Sequence, residues 1–227
     1  KALRDQRVCE QVRPVVYADR TCLQQALETL GEQMQLNEVD EPRAVMDEVG
    51  IVDFVEVGAL SEPIAYGKIS AEGGQAGYAY LQRAIDAALA DEVVGLATAP
   101  LNKESLQAGE VPFIDHTAVL EDRAAHRGAM TLFVVRNLRI FFLTRHISFR
   151  EIADAITYEG ILEALPLCEL YLRQLGIAAP HLAIAALNPH GGEQGLFGTD
   201  EMEVIGPAVE EAVGRGWNVI GPVPADS

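Results

Sequence analysis

The sequence is poor in basic charge. Its 17 Lys and Arg face 34 Asp and Glu across 227 residues, leaving a formal net charge of −17. A field of that sign repels phosphate backbones and anionic lipid, which excludes non-specific nucleic-acid binding. An anionic small substrate stays open, because a few local donors override a global field. Long hydrophobic runs are missing as well, and nothing approaches the roughly 18 apolar residues of a membrane span. Cysteine is scarce: Cys9, Cys22 and Cys168 have no metal-like spacing. An odd count in a chain of this length points to a reducing compartment and to ordinary buried thiols. Signal peptide, transit sequence, repeats and low-complexity tracts are not visible. The Gly-rich stretch Gly67 to Gly77 lacks the G-x-G-x-x-G spacing of a dinucleotide loop and reads instead as a tight turn with close helix packing.

What is present is apolar. Residues of that kind make up 49% of the chain, enough for a substantial core and incompatible with disorder as the main state. Lys1-Ala2-Leu3-Arg4 reads as the inside of a helix, and Gly221 to Ser227 reads as a loop that stops midway, so the expectation is a chain cut at both ends.

Elements alternate along the sequence. Strands are expected at Arg13 to Ala18, twice within Ala44 to Val57 around Asp47 and Glu48, and at Val93 to Thr98. Others are expected at Met130 to Val135, Leu138 to Leu143, Leu182 to Leu187 and Asn218 to Ile220. Helices are expected at Thr21 to Gln35, capped by Asp19 or Thr21, and at Tyr78 to Ala90. Further helices are Ser148 to Ala155, with Ser148 and Glu151 as a capping box, then Tyr158 to Leu175, closed by Gly176, and Asp200 to Gly214. The continuous run Val93-Val94-Gly95-Leu96-Ala97-Thr98 suits a strand buried on both faces. Arg136-Asn137 suits a hairpin turn. The sum is an α/β fold, mainly a parallel sheet flanked by helices, with one antiparallel pair.

Ligands of open α/β sheets bind beyond the carboxyl ends of the strands. Four expected strands run into polar loops there: Ala99-Pro100-Leu101-Asn102-Lys103, Thr144-Arg145-His146, Asn188-Pro189-His190-Gly191-Gly192-Glu193, and Gly221-Pro222-Val223-Pro224-Ala225-Asp226. Asp115-His116-Thr117 forms a further polar cluster. His146 and His190 each follow a strand, which places both at one sheet edge. They are candidates to share a divalent metal that needs a third ligand, or they are two unrelated loop histidines. His116 and Thr117 offer donors to carboxylate or phosphate oxygens, although Thr117 also suits a helix cap. Lys103 suits a phosphate partner or a proton carrier, or a solvated loop residue. Arg145 suits an anion clamp or a structural ion pair. The acidic tract Glu201 to Glu211 reads as a solvated helix face, and His126 and His181 have no supporting pattern.

The five polar motifs occur in the order seen in the 4-hydroxythreonine-4-phosphate dehydrogenase (PdxA) family, which the chain resembles over essentially its whole length. The wording Phe141-Phe142-Leu143-Thr144-Arg145-His146 and Ala186-Leu187-Asn188-Pro189-His190-Gly191-Gly192 resembles the branch acting on 4-phospho-D-threonate and 4-phospho-D-erythronate. The resemblance implies an isocitrate/isopropylmalate-dehydrogenase-like fold of two α/β subdomains. It implies a cytoplasmic homodimer with its active site at the subunit interface. It also implies NAD and a divalent metal (Zn, Co, Ni, Mn or Mg) in the oxidative decarboxylation of a phosphorylated β-hydroxy acid. His116 and Thr117 match the family's substrate-binding pair, His146 and His190 match two of its three metal histidines, and Lys103 is the catalytic candidate. The family's opening Gly-rich segment and its C-terminal portion have no counterpart here. Residues 1–227 are thus expected to be an incomplete dehydrogenase region that on its own binds metal poorly and is inactive. Alternatives are a ligand-binding remnant of the family, or a member acting on a non-phosphorylated diol.

Overall fold

The computed structural model describes residues 2–46, 48–124, 129–145 and 147–225. The chain divides into two compact units, Lys1–Ala129 and Met130–Ser227.

The first unit opens with a short helix α1 (Gln6–Cys9) capped by the Asp5 carboxylate. A three-stranded parallel sheet follows, built from β1 (Val16–Ala18), β2 (Gln35–Glu38) and β3 (Ile51–Glu56) in the order β1-β3-β2. Val16 pairs with Phe54 and Gln35 with Ile51. The central strand is β3, so Val52, Asp53, Phe54 and Val55 are all buried. Helix α2 (Arg20–Leu30) connects β1 to β2 and ends at Gly31, whose φ of +64° is free of strain only for glycine. That stop is earlier than Gln35, which belongs to β2. Among the described residues of Ala44 to Val57 one strand forms, not two. Pro42–Ala44 is a single 3-10 turn, and the Met46 N–H donates to the Asp53 carboxylate at 3.1 Å rather than to a ladder. Asp47 lies outside the described residues.

Helix α3 (Ala71–Leu89) starts well before Tyr78. Ser70 caps it by accepting the Gly73 N–H at 3.0 Å. The glycines of its first turns each cost about 1 kcal/mol of helix propensity, but they admit helix α4 (Lys103–Ala108) at close range. A Cβ on Gly74 would sit 2.0 Å from the Ser105 carbonyl oxygen. The stretch therefore combines a turn at Gly67, where φ is +73°, with a close-packing surface, as expected, and the packing glycines lie inside the helix. Helix α5 (His116–Arg123) packs further along α3 through Leu81, Ile85 and Val119. Val93 to Thr98 forms no strand: it is irregular, and Val94 is fully exposed. An apolar run becomes a strand only where a neighbour supplies ladder partners, and among the described residues none pairs with it. Leu96 instead joins the cluster beneath α5.

The second unit begins with a hairpin, β4 (Leu132–Val135) and β5 (Leu138–Phe141), whose two-residue turn puts Arg136 at φ +54°. After it come a 3-10 turn at Phe149–Glu151 and helix α6 (Ile152–Ala155), opened by the expected capping box. In that box the Ser148 N–H donates to Glu151 Oε2 at 2.9 Å. Helix α7 (Tyr158–Gln174) is capped by Thr157 and followed by Gly176 at φ +87°. Strand β6 (Leu182–Ala185) pairs in parallel with β7 (Val219–Val223). Between them runs a π-turn, Glu201–Ile205, that continues into helix α8 (Gly206–Gly214). Strand β7 extends through Pro222, so the following loop begins later than expected. Ile161, Leu165, Ile205, Ala208, Val209, Ala212 and Val219 form the core of this unit. No helix among the described residues is long and apolar enough to cross a membrane.

Candidate functional site

In the first unit the candidates lie at the starts of α4 and α5. Asp115 opens α5, its carboxylate accepting the Ala118 N–H at 2.9 Å. The cap is thus Asp115 and not Thr117, which leaves the Thr117 hydroxyl to other partners. His116 Nε2 lies 3.0 Å from the Ala99 carbonyl oxygen. A carbonyl only accepts, so Nε2 carries the proton, and Nδ1 of the neutral ring is an acceptor that donates to an anion only as imidazolium. This bond ties the half-buried His116 to the segment that runs from Ala99 to Lys103. Asn102 caps α4 by accepting the Ser105 N–H at 2.8 Å, which sets Lys103, exposed, at the first helical position. The imidazole and the hydroxyl therefore sit at the start of capped α5 and the Lys103 amine at the start of capped α4, and one hydrogen bond ties His116 to the segment before α4.

A second polar centre of this unit forms at Asp19, which the sequence alone marks as a candidate helix cap. Asp19 has no exposed surface. It makes no side-chain cap to α2. Its carboxylate instead accepts the N–H groups of Gly58, Ala59 and Leu60 at 2.6, 3.2 and 2.5 Å. The Tyr80 hydroxyl donates to it at 2.8 Å. The site lies at the carboxyl end of β1 and pins the turn after β3. Burial pushes the Tyr80 phenol well above its ordinary range, and its contacts with Cys22 and Asp19 push the same way. An acid placed directly after an apolar strand was the sequence signal.

In the second unit, His190 follows β6 on an exposed loop rich in positive φ. Gly191, Gly192, Glu193, Gln194 and Gly195 all have φ between 45° and 94°. Beneath the loop lies Glu201, only 4% exposed, which corrects the reading of this tract as a wholly solvated face. Glu201 shares one helical stripe with Ile205, Ala208 and Ala212, all buried, and that periodicity was the signal for it. Arg145 is half-buried, and its Nη1 donates to Thr131 Oγ1 at 2.9 Å. His146 and His126 lie outside the described residues. Among the described residues no three His, Cys, Asp or Glu side chains gather as a metal would require. A shallow groove of about 630 Å³ against α2 and β2, floored by Leu27, Met34 and Leu36, contains none of the candidate residues.

A profile of the family described as pyridoxal phosphate biosynthetic protein PdxA matches residues 10–227. A protein of Symbiobacterium thermophilum named "Putative D-threonate 4-phosphate dehydrogenase" is 39% identical over 228 aligned positions, covering 100% of this chain and 68% of the relative. A crystal structure of a 4-hydroxythreonine-4-phosphate dehydrogenase from Burkholderia phymatum superposes with a TM-score of 0.86 at 32% identity, over 99% of this chain and 68% of that one. The corresponding enzyme from Klebsiella pneumoniae superposes with a TM-score of 0.89 at 27% identity, over 100% and 69%.

Proposed function

Because the chain belongs to the PdxA family of dehydrogenases, we propose that it carries out NAD-dependent, divalent-metal-dependent oxidative decarboxylation of D-threonate 4-phosphate or a close phosphorylated hydroxy acid. The name of the 39% identical relative supports that substrate over 4-hydroxythreonine 4-phosphate. The observation that carries the reading is the His116–Ala99 hydrogen bond at 3.0 Å. It ties His116, at the start of the helix that also carries Thr117, to the segment that leads into Lys103, which supports reading these residues as oxyanion partners.

In this reading Thr117 and His116 bind substrate oxygens and orient the chain of the hydroxy acid. Lys103, as the neutral amine, would take the hydroxyl proton, the hydride of the same carbon going to the nicotinamide. The β-keto acid so formed then loses carbon dioxide. A bound divalent metal would polarise the carbonyl and stabilise the enolate. His190 suits one imidazole donor, being exposed on a Gly-flanked loop at the carboxyl end of β6, and His146 would be a second. The described residues do not complete a coordination shell, so no geometry is assigned. A homodimer with substrate at the interface belongs to the same proposal.

The test is NADH formation by the full polypeptide that carries this sequence, with added Zn, Co, Ni, Mn or Mg. The substrates are D-threonate 4-phosphate, D-erythronate 4-phosphate and 4-hydroxythreonine 4-phosphate. Turnover of the first, lost in His116→Ala, is expected. No turnover of any of the three sinks the substrate class.

A further inference from the structure

We infer that Glu201 is a positioning residue that fixes the loop bearing His190, an inference that rests on the reading of His190 as a metal donor. Burying a carboxylate is costly unless hydrogen bonds compensate it, and few of the described acids are buried. Glu201 Oε1 accepts the Asn188 N–H at 2.7 Å. Its Oε2 is also buried, has no hydrogen-bond partner among the described residues, and lies against Gly192. A Cβ added at Gly192 would meet that oxygen at 2.8 Å and the Gly198 carbonyl at 2.9 Å, and φ there is +71°. Only glycine fits so close to the acid in that conformation.

The carboxylate therefore holds the chain on both sides of His190, by a hydrogen bond at Asn188 and by close packing at Gly192. Its own anchor is rigid. Glu201 begins the turn that continues into α8, and Ile205, Ala208 and Ala212 on the same stripe are buried in the core of the unit. The strained left-handed run from Gly191 to Gln194 is thereby tied to a packed helix, so the imidazole projects from a fixed base. Residues that orient a metal ligand typically change metal affinity by roughly 10–100-fold when removed.

The test uses Zn²⁺ calorimetry and the visible spectrum of the Co²⁺ form on the full chain and on Glu201→Ala, Glu201→Gln and His190→Ala. Glu201→Ala is expected to weaken Zn²⁺ binding by roughly tenfold or more and to alter the Co²⁺ spectrum. Glu201→Gln keeps an oxygen for the Asn188 N–H and is expected to restore both. Unchanged binding in Glu201→Ala, or a Glu201→Gln as weak as Glu201→Ala, overturns the inference. If His190→Ala leaves Zn²⁺ binding unchanged, it is the metal reading that fails. Amide exchange then decides on Glu201 separately. The Asn188 amide of the unaltered protein is expected to exchange slowly, and at least tenfold faster in Glu201→Ala. Rapid exchange in the unaltered protein overturns the inference even if the alanine variant does not fold.

Discussion

Replacing Asp19 by alanine removes the acceptor for four donors at once: the N–H groups of Gly58, Ala59 and Leu60 and the Tyr80 hydroxyl. Hydrogen bonds to charged groups contribute about 1.5–3 kcal/mol each, and a simple sum of about 6–12 kcal/mol would be comparable to the whole stability of a typical domain. The surroundings decide how much is lost. Gly58 and Ala59 are exposed, so water replaces the carboxylate at their amides. Leu60 and Tyr80 are half-buried, and their donors are left with poorer substitutes. The loss is therefore roughly 3–4 kcal/mol. With a urea dependence of about 3 kcal/mol per molar, the unfolding midpoint falls by roughly 1 M. Tyr80→Phe removes one of the four bonds and is expected to cost about 1 kcal/mol. In the double variant most of that cost disappears, because the partner is already gone. A midpoint for Asp19→Ala within experimental error of the unaltered protein, or strict additivity with Tyr80→Phe, would refute the reasoning.

Alkaline pH tests the same cluster from the other side. The folded state raises the Tyr80 phenol above its unfolded value, so its contribution to stability is fully present below about pH 10 and is lost as the pH rises above it. Urea midpoints between pH 8 and 11 check this, and Tyr80→Phe should flatten part of the decline. Gly74→Ala is expected to destabilise by about 3 kcal/mol, because the added Cβ meets backbone at the Ser105 carbonyl rather than a side chain that can yield. Thermal melting reads it, and a neutral result would contradict the α3–α4 contact. Burial pushes the Cys168 thiol up to about 11, so at pH 8 it should alkylate far more slowly than the partly exposed Cys9 and Cys22. Mass spectrometry after a short iodoacetamide pulse distinguishes the sites, and equal labelling of all three counts against the burial. Ile205→Ala is expected to cost about 2–5 kcal/mol, since Ile205 is 1% exposed within the core of the second unit.

Local chemistry made much of this fold legible. The Arg136–Asn137 turn, the Ser148–Glu151 box and the stop at Gly176 each depend on neighbours in sequence, and each is present. Where the structure departs from expectation, a distant partner decided. The glycines of α3 look like a loop until α4 is placed against them. Val93 to Thr98 looks like a strand because apolarity was read as pairing, whereas pairing is a property of two segments. Met46 is kept out of a strand by a carboxylate on β3. The same distinction holds at the candidate sites. His116, Thr117, Lys103 and His190 stood out as polar residues in Pro- and Gly-marked loops. Asp19 and Glu201 are marked only by context, one by the apolar strand before it and the other by the apolar stripe it shares, because an acid that accepts backbone N–H groups inside the fold has the same one-letter signature as a solvated one.

The parallel pairing of β6 with β7 also sets an order of events. The β4–β5 hairpin closes over two residues, Arg136 and Asn137, and hairpins of that kind form within about 1–10 μs. Leu182 meets Val219 only after the whole intervening loop and α8 have been brought into place, and such non-local contacts form late. The loop of His190 and the carboxylate of Glu201 both lie inside that span. Within the second unit, the loop that carries His190 is therefore expected to close after the hairpin.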